Sequence, residues 1–153
     1  MFKKLLLVAI IHIGASAFLN AQTVTTNEKD IEAVKGVIQN MFTAMKNSDT
    51  LALKQCFSNT AILQTIVSKQ NEAVVQNASV QDFLISVAKQ PAGSLDERIV
   101  FETVKTNKEL AIVWTPYEFY FKDKYSHRGV NSFQLVQLKD GWKIQYLIDT
   151  RYK

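Results

Sequence analysis

The stretch Leu110–Phe121, LAIVWTPYEFYF, decides the fold class. It is mostly apolar and rich in β-branched and aromatic residues, which reads as one long strand. Pro116 in its middle has no N–H to give to a ladder, so it marks an edge or a bulge. Working toward the C-terminus, Lys122-Asp123-Lys124 is a turn and Tyr125–Leu138 a second long strand. Asp140-Gly141 then reads as a tight hairpin turn, and Trp142–Tyr152 as the last strand. Working back, Asn107-Lys108-Glu109 is a turn, and Arg98–Thr106 alternates Ile99, Phe101, Thr103 and Lys105 against Val100, Glu102 and Val104. Three or four antiparallel strands in meander order follow from this half of the chain.

Upstream the period changes. Between Asn27 and Asn47 the apolar residues Ile31, Val34, Ile38, Met41, Phe42 and Met45 step by threes and fours, one stripe of an amphipathic helix. Thr25 with Glu28 offers a capping box at its start. Asp49 caps a short second helix, Thr50–Phe57, and Ser58-Asn59-Thr60 reads as a turn. Ala61–Val67 reads as a short strand and Ala73–Gln76 as a weaker one. Ser79 to Asp82 is another capping box, opening a helix with Phe83, Leu84, Val87 and Ala88 on one side that ends before Pro91. Helices gathered ahead of a bent antiparallel sheet indicate an α+β fold.

The first residues follow a different logic. Lys3 and Lys4 precede an apolar run, Leu5–Ile13, and small residues follow at Ala15-Ser16-Ala17 and Leu19-Asn20-Ala21. This is the pattern of a signal peptide, and the apolar run is about half the length needed to span a bilayer. Cleavage after Ala17 best satisfies the small-x-small rule. Cleavage after Ala21 also removes Phe18 and Leu19 and is the favoured reading: a signal at 1–21 and a single domain at 22–153, exported to the periplasm or beyond, with no membrane contact afterwards. The formal charge of +4 then falls to +2, because only Lys3 and Lys4 leave. The remaining Lys and Arg are scattered among acids, so no basic face for nucleic acid is expected. Cys56 is the one cysteine. No intrachain disulfide is possible, and the core alone must hold the domain.

The element order resembles that of the NTF2-like superfamily (SnoaL-like and ketosteroid-isomerase-like proteins). Local words sharpen the likeness: Trp114-Thr115-Pro116-Tyr117-Glu118-Phe119, Ser126-His127-Arg128-Gly129, Phe133, Gly141-Trp142-Lys143-Ile144 and Asp149-Thr150-Arg151. They resemble exported bacterial members labelled "putative lumazine-binding" or nuclear-transport-factor-2-like, over about Glu28 to Tyr152. The resemblance implies a cone in which a strongly curved sheet wraps a helix face, with an apolar pocket at one end. It also implies homodimers formed through the outer sheet face.

His127 is the one histidine outside the signal segment, and so the one side chain that ordinarily titrates near neutral pH. Alternation puts it on the face of Asn131, Phe133 and Leu135. A histidine and an amide in a concavity suit acid/base and orienting roles; the competing reading is a histidine hydrogen-bonded in the wall. Asp149 and Arg151 share one face of the last strand, as a plain ion pair or as an orienting carboxylate and an anion-holding guanidinium. Pairing across Asp140-Gly141 sets residue n opposite roughly 281 − n, which places Asp149 opposite about 132. Trp114, Tyr117, Phe119, Tyr120 and Tyr146 form an aromatic set suited to a flat ligand or to core filling. Tyr117 is a candidate oxyanion donor, as in ketosteroid isomerases. The isomerase pattern also needs a general-base carboxylate, and Ala61–Val67 carries none.

No Gly-rich phosphate loop, GxSxG or His/Cys metal spacing is present, so no cofactor and no metal are expected. The leading expectation is a domain that binds a small apolar or aromatic ligand without catalysis, through Trp114, Phe119, Asn131, Phe133 and Arg151. The rival is an isomerase-, dehydratase- or hydrolase-type enzyme with His127, Asp149 and Tyr117 as catalytic groups. A third reading is a dimeric protein-interaction module.

Overall fold

A computed structural model describes residues 27–153. The signal segment read at 1–21, and Thr25 of the expected capping box, lie outside the described residues. Helix α1 spans Glu28–Lys46 and is capped instead by Asn27, whose side chain accepts from the Lys29 N–H. Helix α2 spans Thr50–Gln55, with Asp49 accepting from the Ala52 N–H. Helix α3 spans Val80–Ala88, opened by Ser79 accepting from the Asp82 N–H.

Seven strands follow the chain: β1 Phe57–Lys69, β2 Glu72–Ala78, β3 Leu95–Ile99, β4 Thr103–Asn107, β5 Leu110–Phe121, β6 Lys124–Leu138 and β7 Gly141–Thr150. They form one sheet in the order β2-β1-β7-β6-β5-β3, with β4 also on β5. The meander β5-β6-β7 is antiparallel, and β1 joins β7 in parallel. That parallel seam joins the front of the chain to its end.

Three expectations need correction. Ser58-Asn59-Thr60 is not a turn but the start of β1, where Ser58 and Thr60 hydrogen-bond Gln145 of β7. The expected strand Arg98–Thr106 is two strands. Ile99 faces Tyr117 and Thr103 faces Trp114, so three residues, 100–102, lie against two, 115–116. The ladder slips there because Pro116 has no N–H to offer, although its carbonyl still accepts from Val100. The last hairpin turns at Lys139-Asp140, since Leu138 pairs with Gly141, and a bulge near Gln134–Leu135 shifts the register again. Asp149 therefore faces Asn131, one position from the expected 132.

The core follows the helix stripe. Val34, Ile38, Met41, Phe42 and Met45 of α1 are buried with Val113, Phe133, Leu135 and Ile144 of the sheet. Phe42 meets Phe133 edge-on, with centroids 6.2 Å apart and planes at 85°. Fully burying such side chains contributes about 1.5–3 kcal/mol each before the entropy of ordering them.

Candidate functional site

The inward positions of β5 and β6 change character along the strands. Val113 faces Phe133, then Thr115 faces Asn131, Tyr117 faces Gly129, and Phe119 faces His127. The first pair is core. Of the later pairs, Asn131, Tyr117, Phe119 and His127 wall a cavity of about 410 Å³ between α1, α3 and the concave sheet face. Met41, Phe42, Met45, Phe83, Leu95 and Leu147 supply apolar walls; Thr65, Glu97, Tyr117, His127, Asn131, Asp149 and Arg151 gather at a polar end, and Gln64, Asp82, Ser86 and Gln90 add further polar groups to the lining.

Asp149 is the hub of that end. Its Oδ1 accepts from Thr65 Oγ1 at 2.6 Å. Its Oδ2 accepts from Arg151 Nε at 2.8 Å and from Tyr117 Oη at 3.2 Å. The Tyr117 hydroxyl also points at the Thr150 carbonyl, 2.9 Å away. Burial, with Asp149 and Glu97 nearby, pushes the Tyr117 phenol well above its usual range. The short approach to Thr150 needs Gly129 beside it. A Cβ there would lie 1.8 Å from the Thr150 carbonyl oxygen and 2.9 Å from the Tyr117 ring.

Glu97 is the second carboxyl. Its Oε1 accepts from Asn131 Nδ2 at 2.8 Å, and Asn131 also donates toward Thr115 Oγ1 at 3.4 Å. Burial pushes the Glu97 carboxyl up to about 7, against the Asn131 hydrogen bond, which favours the charged form. His127 is half-buried, stacked at a tilt 5.0 Å from Phe119 and edge-on 5.8 Å from Tyr117. Its Nδ1 lies 3.0 Å from Ser126 Oγ. Burial and the Arg151 charge hold the imidazole below its usual value, with Asp149 opposing them.

The cavity thus gathers His127, Asp149, Tyr117, Phe119, Asn131 and Arg151 of the residues singled out by sequence. His127 and Asp149 share the cavity but hydrogen-bond to different partners, Ser126 for one and Thr65, Tyr117 and Arg151 for the other. Two expected ligand contacts are corrected. Trp114 lies on the outer sheet face, 45% exposed, because alternation from inward Val113 and Thr115 turns it away. Phe133 is fully buried one layer deeper, against Phe42, and does not reach the cavity. Glu97 and Thr65 were missed. Leu95, Glu97 and Ile99 share one face of β3, so a carboxylate set between two apolar inward positions was the available signal.

A second hollow, of about 610 Å³, lies between α1, α2 and the β6–β7 hairpin. It is larger, but none of the sequence candidates line it. Its lining includes the half-buried Lys143, which pairs with Asp140 at 3.2 Å and donates to the Gln55 carbonyl at 2.9 Å. The chemistry is concentrated in the smaller cavity.

Comparison with known proteins places this geometry. The family described as "Putative lumazine-binding" matches residues 29–146. No curated protein matches the chain at a significant level. Among solved structures, an NTF2-like protein of unknown function from Shewanella baltica OS155 superposes with a TM-score of 0.66 at 15% identity, covering 84% of this chain and 98% of that one. A second, from Methylobacillus flagellatus KT, gives 0.65 at 14% identity, covering 85% and 98%. A domain of unknown function with a cystatin-like fold from Nostoc punctiforme PCC 73102 gives 0.66 at 17% identity, covering 84% and 80%. At such identities these neighbours establish the shared fold.

Proposed function

The chain belongs to the lumazine-binding-like family of the NTF2-like superfamily, and on that premise we propose that its cavity binds a small, flat, apolar or aromatic molecule without transforming it. One observation carries the proposal: a cavity of about 410 Å³ with apolar walls and one polar end. Its size falls within the range of small-molecule sites, and its few convergent polar groups suit orientation of a ring with hydrogen-bonding edges. The family's description fits a ligand of that shape.

The binding reading is favoured over the enzyme because the acidic hub is already engaged. Asp149 holds three donors, and Tyr117 spends its one proton on Asp149 and Thr150. A phenol so committed is a poor oxyanion donor. Among the described residues, no carboxylate lies in hydrogen-bond reach of His127 to orient it. We extend the proposal to export after loss of residues 1–21, and to a homodimer through the outer sheet face, where Leu110, Ile112 and Trp114 are exposed.

The decisive experiment is native mass spectrometry of the full-length protein purified from its own cells. An adduct of small-molecule mass that disappears on denaturation supports binding. Empty protein from cells and no uptake from a panel of flat heteroaromatic compounds would overturn it.

A further inference from the structure

Resting on the cavity proposed above, we infer that Glu97 sets its selectivity, and that the cavity prefers a ligand presenting a cationic or strongly donating N–H group to the free oxygen of that carboxyl.

The argument is one of hydrogen-bond capacity. A carboxylate offers about four acceptor positions. Asp149 spends its two oxygens on Thr65, Tyr117 and Arg151. Glu97 receives one donor, Asn131, on Oε1. Among the described residues no donor meets Glu97 Oε2, and that oxygen is not sealed in packing, since the one buried unpaired side-chain polar atom is Trp142 Nε1. An open acceptor beside apolar walls is the complement of a ligand donor.

Charge points the same way. The ionisable groups facing the cavity are Glu97 from β3, Tyr117 from β5, His127 from β6, Asp149 from β7, Arg151 just beyond β7, and Asp82 from α3. Tyr117 is held neutral at ordinary pH, and His127 is pushed toward its neutral form. That leaves three carboxyls against Arg151, and the guanidinium is already bonded to Asp149 at 2.8 Å. Asp82 is engaged by the Ser79 hydroxyl at the rim, 2.7 Å away. When Glu97 is ionised, the polar end carries an uncompensated negative charge in a poorly solvated place, and a bound cation compensates it.

Affinity for such a ligand tracks the ionised fraction of Glu97. With that carboxyl titrating at about 7, the fraction rises about tenfold between pH 6.0 and 8.5.

The test uses three probes with the same flat ring and different heads: benzamidine, benzamide and benzoate. Binding to the full chain is measured by calorimetry, and its location by amide chemical shifts of cavity residues. At pH 8.5 benzamidine is expected to bind at least tenfold tighter than benzoate, and to lose about tenfold on moving to pH 6.0. Glu97→Gln is expected to remove both the preference and the pH dependence while benzamide still binds. Benzoate binding as well as benzamidine at pH 8.5, or benzamidine binding unchanged by Glu97→Gln, overturns the inference and leaves the cavity reading standing. If no probe perturbs cavity resonances at either pH, the cavity reading fails with it.

Discussion

Gly129→Ala tests the joint on which the polar end depends. The added Cβ would lie 1.8 Å from the Thr150 carbonyl oxygen and 2.9 Å from its carbon, where real Cβ contacts essentially never fall below 3.0 Å. Both of these Thr150 atoms are backbone, so the end of β7 must move away by more than 1 Å. Three sets of contacts cross that joint: the Tyr117 hydroxyl to the Thr150 carbonyl at 2.9 Å, the Val130 N–H to Thr150 Oγ1 at 3.1 Å, and the reciprocal Arg128–Tyr152 backbone pair at 3.0 Å. Losing two or three of them costs about 1 kcal/mol each, and weakening the tie of a buried hydroxyl adds about 1 kcal/mol. The total is about 3–4 kcal/mol, which lowers Tm by about 10–15 °C in a domain of this size. Gly36→Ala is the control. Gly36 lies inside α1 with nothing within 4 Å of the new Cβ, so it should gain about 0.5–1 kcal/mol from helix propensity. Thermal melts by circular dichroism read both variants. A Gly129→Ala protein that melts within 3 °C of wild type would show that β7 does not close over Gly129, and the described placement of Asp149 would fall with it.

Glu97→Gln should change how stability depends on pH. The native carboxyl is raised to about 7 from an ordinary 4.5, so between those values the native state holds a proton that the unfolded chain has lost. Stability from this group is full below pH 4.5 and is lost as pH rises to about 7, amounting to ~2–3 kcal/mol. His127 works in the opposite sense below about 6.5, because its native value is lowered, so the difference between wild type and variant isolates Glu97. Denaturant titrations from pH 4.5 to 8 should show Glu97→Gln gaining on wild type up to about pH 7 and levelling off above it; a constant difference refutes the buried-acid description. Trp114→Lys places a charge on the outer face beside exposed Ile112 and Leu110. Light scattering after size exclusion should show wild-type dimers and variant monomers, and a variant that stays dimeric excludes this face as the interface.

How much was legible depends on which physical signal each element carries. Helix α1 was clear because its stripe repeats over nineteen residues, and β5 was read to the residue because it lies between two turns. The parallel seam of β1 on β7 was invisible, since its partners, such as Thr65 and Asp149, stand 84 or more residues apart and no local pattern encodes the pairing. Alternation from Phe133 and Leu135 placed His127 and Asn131 inward, and the structure has both on the cavity. The same rule, applied from Thr115, turns Trp114 outward, so choosing it for its aromatic ring alone went against the available geometry. Glu97 was lost for a subtler reason. Reading Arg98–Thr106 as one unbroken strand began three residues too late, one past Glu97, and ran through the slip at 100–102. A two-residue period carries no information across an extra residue, because the faces exchange there. Pro116, seen at the outset as a sign of a bulge, was the clue to that slip. Its missing N–H acts on the neighbouring strand: it separates β3 from β4, lets β3 keep its own face, and so leaves Leu95 and Glu97 on the cavity and Ile99 against the core. A proline with no side-chain chemistry of its own thereby fixes which acid faces the cavity.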